Sequence, residues 1–289
     1  MKSERLSLPD GASTVIEWFG DDATSGKGLV VFLPALGVNV EYYRGFAQAW
    51  AERGYRVAAI EMRGMKQSSV RDVKRNNFGY SEVLNVDLPV IVAKLAAEAG
   101  GAPVYLAGHS LGGQFALLYA SRASHRLDGV ILVAGGSNHF ATVGSNWTKL
   151  KRWFGFRFIR FTAHVLGFFP GDKLGFGGRQ PRNLMLDWSH EGLTGRYLVL
   201  GDPTDYNATI AGLCKPVLIV SLSGDPLVPR SSADALAAKL TQAKVTQVEL
   251  QARDHGLKVF SHFKWVRQPL AVLDPIDRWT DAGAIHQFE

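Results

Sequence analysis

The chain carries a single cysteine, Cys214, so no internal disulfide can form and its stability must come from a buried core. Cys214 precedes Lys215-Pro216 at the start of an apolar run and is expected to be a small core residue. No apolar run reaches the roughly 18 residues of a membrane span. The opening stretch Met1-Lys2-Ser3-Glu4-Arg5 lacks the apolar segment of a signal peptide. A soluble, cytoplasmic protein with no integral membrane segment is expected. A dense Lys/Arg run is missing too. The nearest, Arg71-Asp72-Val73-Lys74-Arg75, is interrupted by an acid, so the net charge of +6 implies only a weak pull on anionic substrates or surfaces and no nucleic-acid partner. Internal repeats and low-complexity tracts are absent. What is present is 289 residues, 46% hydrophobic and 20% charged, enough for one large core with a smaller appended unit.

That core reads as alternating strands and helices. Residues 5–8 and 14–19 alternate apolar and polar around Pro9-Asp10-Gly11, which is hairpin chemistry. Residues 28–33, 55–60, 103–107, 127–136 and 216–222 are short apolar runs, as strands buried on both faces must be, and residues 245–250 read as the last strand. Between them, residues 42–53, 81–99, 114–120 and 231–240 show helical spacing, and residues 266–280 are expected to carry a late helix. Pro89 inside the second of these predicts a kink or a late start. Such alternation implies a mostly parallel sheet with helices on both faces, whose reactive groups collect at the C-terminal ends of the strands.

The alternation breaks after residue 136. From Phe140 to Tyr206 the chain holds 13 of its 31 aromatic residues in under a quarter of its length. A helix is expected over 148–166, stopped by Pro170-Gly171-Asp172. Residues 174–178 read as loop and residues 183–189 as a short helix. We therefore expect residues 137–213 to form a helical cap inserted after the sixth strand, on a core of 1–136 and 214–289. Its aromatics, Trp147, Trp153, Phe176 and Trp188 among them, are expected either to wall an apolar pocket or to form the cap's own small core.

The chemistry centres on Gly108-His109-Ser110-Leu111-Gly112-Gly113. A strand ends at it and a helix begins after it, the context in which G-x-S-x-G means a nucleophile elbow. Glycines at 108 and 112 let strand and helix approach closely. A serine hydroxyl needs a base within reach, a carboxylate to orient that base, and N–H donors for the oxyanion. Asp225, three residues past an apolar strand, is placed to orient a histidine; Asp202 and Asp205 fall in the insertion. Two histidines, His255 and His262, follow the last strand, and spacing alone allows either as base. His109 is expected to point away from the nucleophile, and His125, His139, His164, His190 and His286 precede or lie away from the last strand. The oxyanion donors are expected to be the N–H of Leu111 and that of Leu36 or its neighbour Ala35, since Pro34 has none.

With Ser110, Asp225 and a late histidine in that order, the sequence resembles the α/β-hydrolase superfamily. The elements that carry the resemblance are Gly108–Gly113, the loop Glu61-Met62-Arg63-Gly64 and Gly224-Asp225-Pro226-Leu227-Val228-Pro229. Among its branches it looks most like capped bacterial serine hydrolases of esterase or lipase type, in which the histidine sits in a His-Phe-x-Trp stretch. His262-Phe263-Lys264-Trp265 matches that stretch, so the resemblance favours His262 over His255. Two departures stand out. Pro34-Ala35 replaces the frequent His-Gly before the oxyanion residue, and Glu61 and Lys66 replace an Asp and a Gly in the loop after the fourth strand. The resemblance implies a serine hydrolase with no metal or organic cofactor, and the aromatic-rich insertion favours an ester or thioester with a hydrophobic acyl or alcohol part. The same residues would also serve an acyltransferase, and the fold is also put to non-hydrolytic uses such as cyclases or ligand receptors.

Overall fold

The computed structural model describes residues 2–20, 26–123 and 126–285; His125 and His286 fall outside them. Strands β1 (Lys2–Ser7) and β2 (Ser13–Phe19) form the expected hairpin, with Ser7 opposite Ser13 across the Pro9-Asp10-Gly11 turn. The central strands are β3 (Leu29–Leu33), β4 (Arg56–Ile60), β5 (Val104–His109) and β6 (Gly129–Val133). Helix α1 (Arg44–Ala51) lies between β3 and β4. Helices α2 (Tyr80–Glu82) and α3 (Leu88–Glu98) lie between β4 and β5, and α4 (Leu111–Ala120) follows β5. The chain then leaves the sheet for α5 (Asn146–Leu166), β7 (Phe168–Pro170), α6 (Gly171–Leu174), β8 (Arg179–Pro181), α7 (Arg182–Thr194) and α8 (Tyr206–Ala211). It returns as β9 (Val217–Leu222), α9 (Arg230–Ala237), β10 (Val245–Leu250) and α10 (Pro269–Ile285).

Eight strands make one sheet in the order β1-β2-β4-β3-β5-β6-β9-β10, parallel from β4 to β10 and antiparallel at the hairpin edge. Successive residues of each inner strand feed opposite cores. Leu29, Val31 and Leu33 pack with α3 and α4, whereas Val30 and Phe32 pack with α1 and α10. Burial on both faces is why these strands read as unbroken apolar runs. Each fully buried aliphatic or aromatic side chain contributes roughly 1.5–3 kcal/mol. The whole arrangement carries the C-terminal ends of β3, β5, β6 and β9 to one edge, beneath the 137–213 segment.

Several local expectations change. The helix expected over 81–99 is interrupted by a widened π turn at Val83–Asp87, where the Leu88 N–H reaches back to the Val83 carbonyl. Pro89 then starts α3 near its N-terminus, where a missing N–H costs nothing. The turn delivers Asp87 to Arg63: Nε lies 3.0 Å from Oδ2, and the guanidinium also takes Asp10 at 2.8 Å. Arg63 thus ties the loop after β4 to the hairpin and to α3. In the inserted segment, α5 stops at Gly167 in the left-handed region rather than at Pro170. The expected loop is present from Gly175 to Gly178, but α6 precedes it and the β7–β8 pair flanks it, α7 runs to Thr194, and α8 appears with Asp205 as its cap. Cys214, expected in the core, is exposed.

Candidate active site

Ser110 stands between β5 and α4 with φ 53° and ψ −115°. Among the described residues, only Ser110 and Ala134 hold a positive φ without being glycine. Such a backbone costs on the order of 1–3 kcal/mol and persists only where its surroundings over-determine it. The surroundings here are explicit. A Cβ on Gly108 would fall 2.2 Å from the Gly112 carbonyl carbon, and one on Gly112 would fall 2.1 Å from the Leu33 carbonyl oxygen. The Ser110 N–H donates to the Val133 carbonyl at 3.0 Å. Strand, helix and two neighbouring strands therefore converge on the serine, which the local sequence alone predicts.

Asp225 follows β9 and is buried. Its Oδ1 accepts the N–H groups of Leu227 (2.8 Å) and Val228 (3.2 Å), and its Oδ2 lies 2.6 Å from His262 Nδ1. With both oxygens accepting, the shared proton belongs on Nδ1 and His262 Nε2 is left as an acceptor. His262 is buried beside the pocket that Ser110 also lines. A direct Ser110–His262 hydrogen bond is not formed among the described residues; such bonds are often long in free enzymes and tighten when substrate binds. His255 sits on a 3-10 turn after β10 with its ring against Phe260, away from the pocket lining. The other acids have separate duties: Asp202 accepts Tyr206 Oη at 2.7 Å, and Asp205 caps α8.

The loop after β3 separates the two oxyanion candidates on it. The Ala35 N–H is already spent on Tyr43 Oη at 3.1 Å. Leu36 N–H donates to no protein acceptor among the described residues, and Leu36 lines the pocket with Ser110 and Leu111. Leu111 is the first residue of α4, where an N–H has no partner within the helix and the helix dipole favours negative charge.

Beneath these groups lies a buried chain absent from the sequence reading. Trp265 Nε1–H donates to His109 Nε2 at 3.3 Å, and His109 Nδ1 lies 2.7 Å from Tyr43 Oη. Since Nε2 accepts, a neutral His109 carries its proton on Nδ1 and donates it to Tyr43. Burial, with His262 as a lesser cause, holds the His109 pKa well below the usual imidazole range. Its ring lies 4.8 Å from that of His262, so a neutral His109 sets no second cation beside that ring. His109 does point away from Ser110 as expected, and its destination is the underside of the site. Tyr43 gives no local signal, being one of an apolar stripe, and Trp265 is marked only as the last residue of the His-Phe-x-Trp stretch.

The pocket encloses about 370 Å³. Ser110, Leu36, Leu111 and His262 line it from the sheet side, together with Leu227 and Val228; Phe156, Ile159, Phe176 and Trp188 line it from the inserted segment. Phe156 and Phe176 pack on Trp188 with ring centres 4.9 and 5.5 Å apart. Phe176 and Trp188 also pack on the small core of Ala163, Phe169 and Met185, so both roles expected of the aromatics coexist. Trp147 and Trp153, expected on the wall, are not on it. Trp147 is 64% exposed, and Trp153 is half-buried with its ring edge-on to Phe154, off the pocket lining. Their misplacement has a simple cause: a helix rich in aromatics on every side does not announce which side faces in. Arg152 adds the pocket's polar wall. It donates to the Leu227 carbonyl, while its buried Nη1 has no acceptor among the described residues.

The family model for the alpha/beta hydrolase fold matches residues 28–256. The chain belongs to the α/β-hydrolase fold family. No curated protein matches the sequence. Solved structures similar to this hydrolase-fold chain include a carboxylesterase from the thaumarchaeon Nitrososphaera gargenis (17% identity, TM-score 0.62, covering 98% of this chain and 100% of that one). The Paleococcus ferrophilus monoacylglycerol lipase is similar at 17% identity and TM-score 0.61, covering 98% of this chain and 100% of that chain. A thioesterase domain from the curacin biosynthetic pathway is similar at 16% identity and TM-score 0.56, covering 99% of each chain. These likenesses concern the fold.

Proposed function

We propose that this chain is a serine hydrolase that cleaves a carboxylic ester or thioester of a hydrophobic small molecule. The observation that carries the reading is the His262 Nδ1–Asp225 Oδ2 bond of 2.6 Å at the rim of the pocket that holds the strained Ser110. Ser110 Oγ attacks the carbonyl carbon as His262 Nε2 takes its proton. Asp225 holds the ring and stabilises the imidazolium. The oxyanion forms against the N–H groups of Leu36 and Leu111. The alcohol or thiol leaves with the proton from His262, giving an acyl-enzyme. Water, deprotonated by the same ring, then releases the acid and restores Ser110. Residues 137–213 act as the cap, with Phe156, Phe176 and Trp188 against the apolar part of the substrate and Arg152 Nη1 available to an oxygen of it. The carboxylesterase, lipase and thioesterase named for the similar folds support the reaction class, and no cofactor enters the scheme.

A fluorophosphonate probe tests this directly. It should label the folded wild type and fail on Ser110→Ala. Acylation should fall about a thousandfold or more in His262→Ala and stay unchanged in His255→Ala. Activity on p-nitrophenyl esters should rise with acyl chain length to fill the pocket. An unlabelled folded wild type overturns the hydrolase reading, and an acetyl-only profile overturns the apolar pocket.

A further inference from the structure

Helix α5 has two apolar faces, and only one of them is covered. Phe156, Ile159 and Ala163 face the pocket and the small core. On the other side Trp147, Leu150, Phe154, Phe158, Phe161 and Val165 recur at spacings of three and four and are all exposed, Phe161 to 67%. At about 100° per residue they fall within an arc of about 80°. Half of the large hydrophobic side chains exposed among the described residues lie on this helix. A stripe of six neighbouring apolar side chains in water marks a surface that something covers.

The charges on α5 say what. The helix carries Lys149, Lys151, Arg152, Arg157 and Arg160 and not one acid. Lys151 and Arg157 flank the stripe on either side, each with its cation about 5 Å from a tryptophan ring, Trp147 and Trp153 respectively. A second copy of the chain is a poor fit, because a two-fold pairing of these helices would set cations against cations. An anionic lipid surface matches both features: aromatic and aliphatic side chains enter the headgroup boundary while flanking Lys and Arg meet lipid phosphates.

We propose that α5 docks this protein on the surface of an anionic membrane, with the exposed stripe inserted among the lipids. Docking does not depend on the hydrolase reading. Where that reading also holds, the opposite face of the same helix walls the pocket, so substrate partitioned into the bilayer meets Ser110 across the thickness of one helix.

Sucrose-loaded vesicles of phosphatidylcholine, alone or mixed with phosphatidylglycerol, test the proposal by co-sedimentation of the full chain. The Ser110→Ala variant is run in parallel so that lipid turnover cannot enter the readout. Binding should require phosphatidylglycerol and weaken as NaCl rises from about 0.1 to 0.5 M. It should fall at least about tenfold in Phe158→Ser/Phe161→Ser and clearly in Arg157→Glu, with thermal midpoints unchanged. Should the double variant fail to fold, Arg157→Glu carries the test alone. Failure of the wild type to bind phosphatidylglycerol vesicles overturns the proposal, as do undiminished binding by a folded variant and equal binding to phosphatidylcholine alone. So does a wild-type dimer that the double variant dissolves, which would assign the stripe to a second copy. None of these outcomes touches fluorophosphonate labelling, so the two readings fail separately.

Discussion

At the scale of single residues, the site's least expected member is Tyr43. One phenolic oxygen accepts from the Ala35 N–H and from His109, and so joins the loop carrying Leu36 to the ring lying under His262. It touches no substrate and acts by positioning. Tyr43→Phe would leave a buried N–H at Ala35 and another at His109 without acceptors, each costing about 1–3 kcal/mol. The expected result is a protein less stable by about 2–6 kcal/mol, with kcat for a soluble ester lowered roughly tenfold and KM little changed. A merely structural role would lower stability and leave kcat of the folded fraction as it was. His109 could not be foreseen in this role, because both of its partners arrive from distant parts of the chain. Ser110 could, because its glycines are its neighbours.

The elbow makes a sharper prediction at the scale of elements. Gly112 and Gly45 both sit in helices, yet a methyl group at 112 meets the Leu33 carbonyl at 2.1 Å while one at 45 meets nothing within 4 Å. Gly112→Ala should push α4 off the sheet and abolish both labelling at Ser110 and cooperative unfolding. Gly45→Ala should stabilise by about 0.5–1 kcal/mol, the ordinary helix gain. Thermal unfolding of the two variants checks the contrast, and equal shifts would remove the packing argument. Elements whose cause is local were legible in this way. β9 and β10 are apolar or alternating runs bounded by turn residues, and α4 follows its glycines. Asp225 was legible from its place after β9, whereas the choice of His262 over His255 came from the family pattern, since spacing left both open. What was not legible depends on tertiary company. The π turn at 83–87 exists to bring Asp87 to Arg63, α8 is too short for periodicity to register, and β7 and β8 are three-residue strands held by each other. Both faces of α5 are apolar, so only the neighbouring α7 decides that Phe156 turns inward and Trp147 outward.

At the scale of the whole molecule, buried carboxylates govern how stability responds to pH. Burial pushes Glu61 up to about 7 and Asp187 up to about 7, and raises Asp87 to about 6 even with Arg63 opposing. Each joins segments that are remote in sequence: Glu61 accepts the Val40 N–H in the segment after β3, and Asp187 accepts the N–H groups of Tyr80 and Leu200. Their unfolded pKa values are near 4, as for any free carboxyl. Between roughly pH 4 and 7 the unfolded chain has therefore released these protons while the folded chain retains them. The folded state binds more protons, so stability falls as pH rises through that window and is greatest on its acid side. Glu61 gives the cleanest test because its Oε1 is buried with no hydrogen-bond partner among the described residues. Glu61→Gln keeps an oxygen for the Val40 N–H and removes the charge. The thermal midpoints of wild type and variant should coincide near pH 4.5 and separate as pH rises, the variant unfolding later by an amount that levels off above pH 7. Parallel curves at all pH values would mean that Glu61 does not titrate across this range in the folded protein, and the pH response would then pass to Asp187, testable by the same comparison with Asp187→Asn.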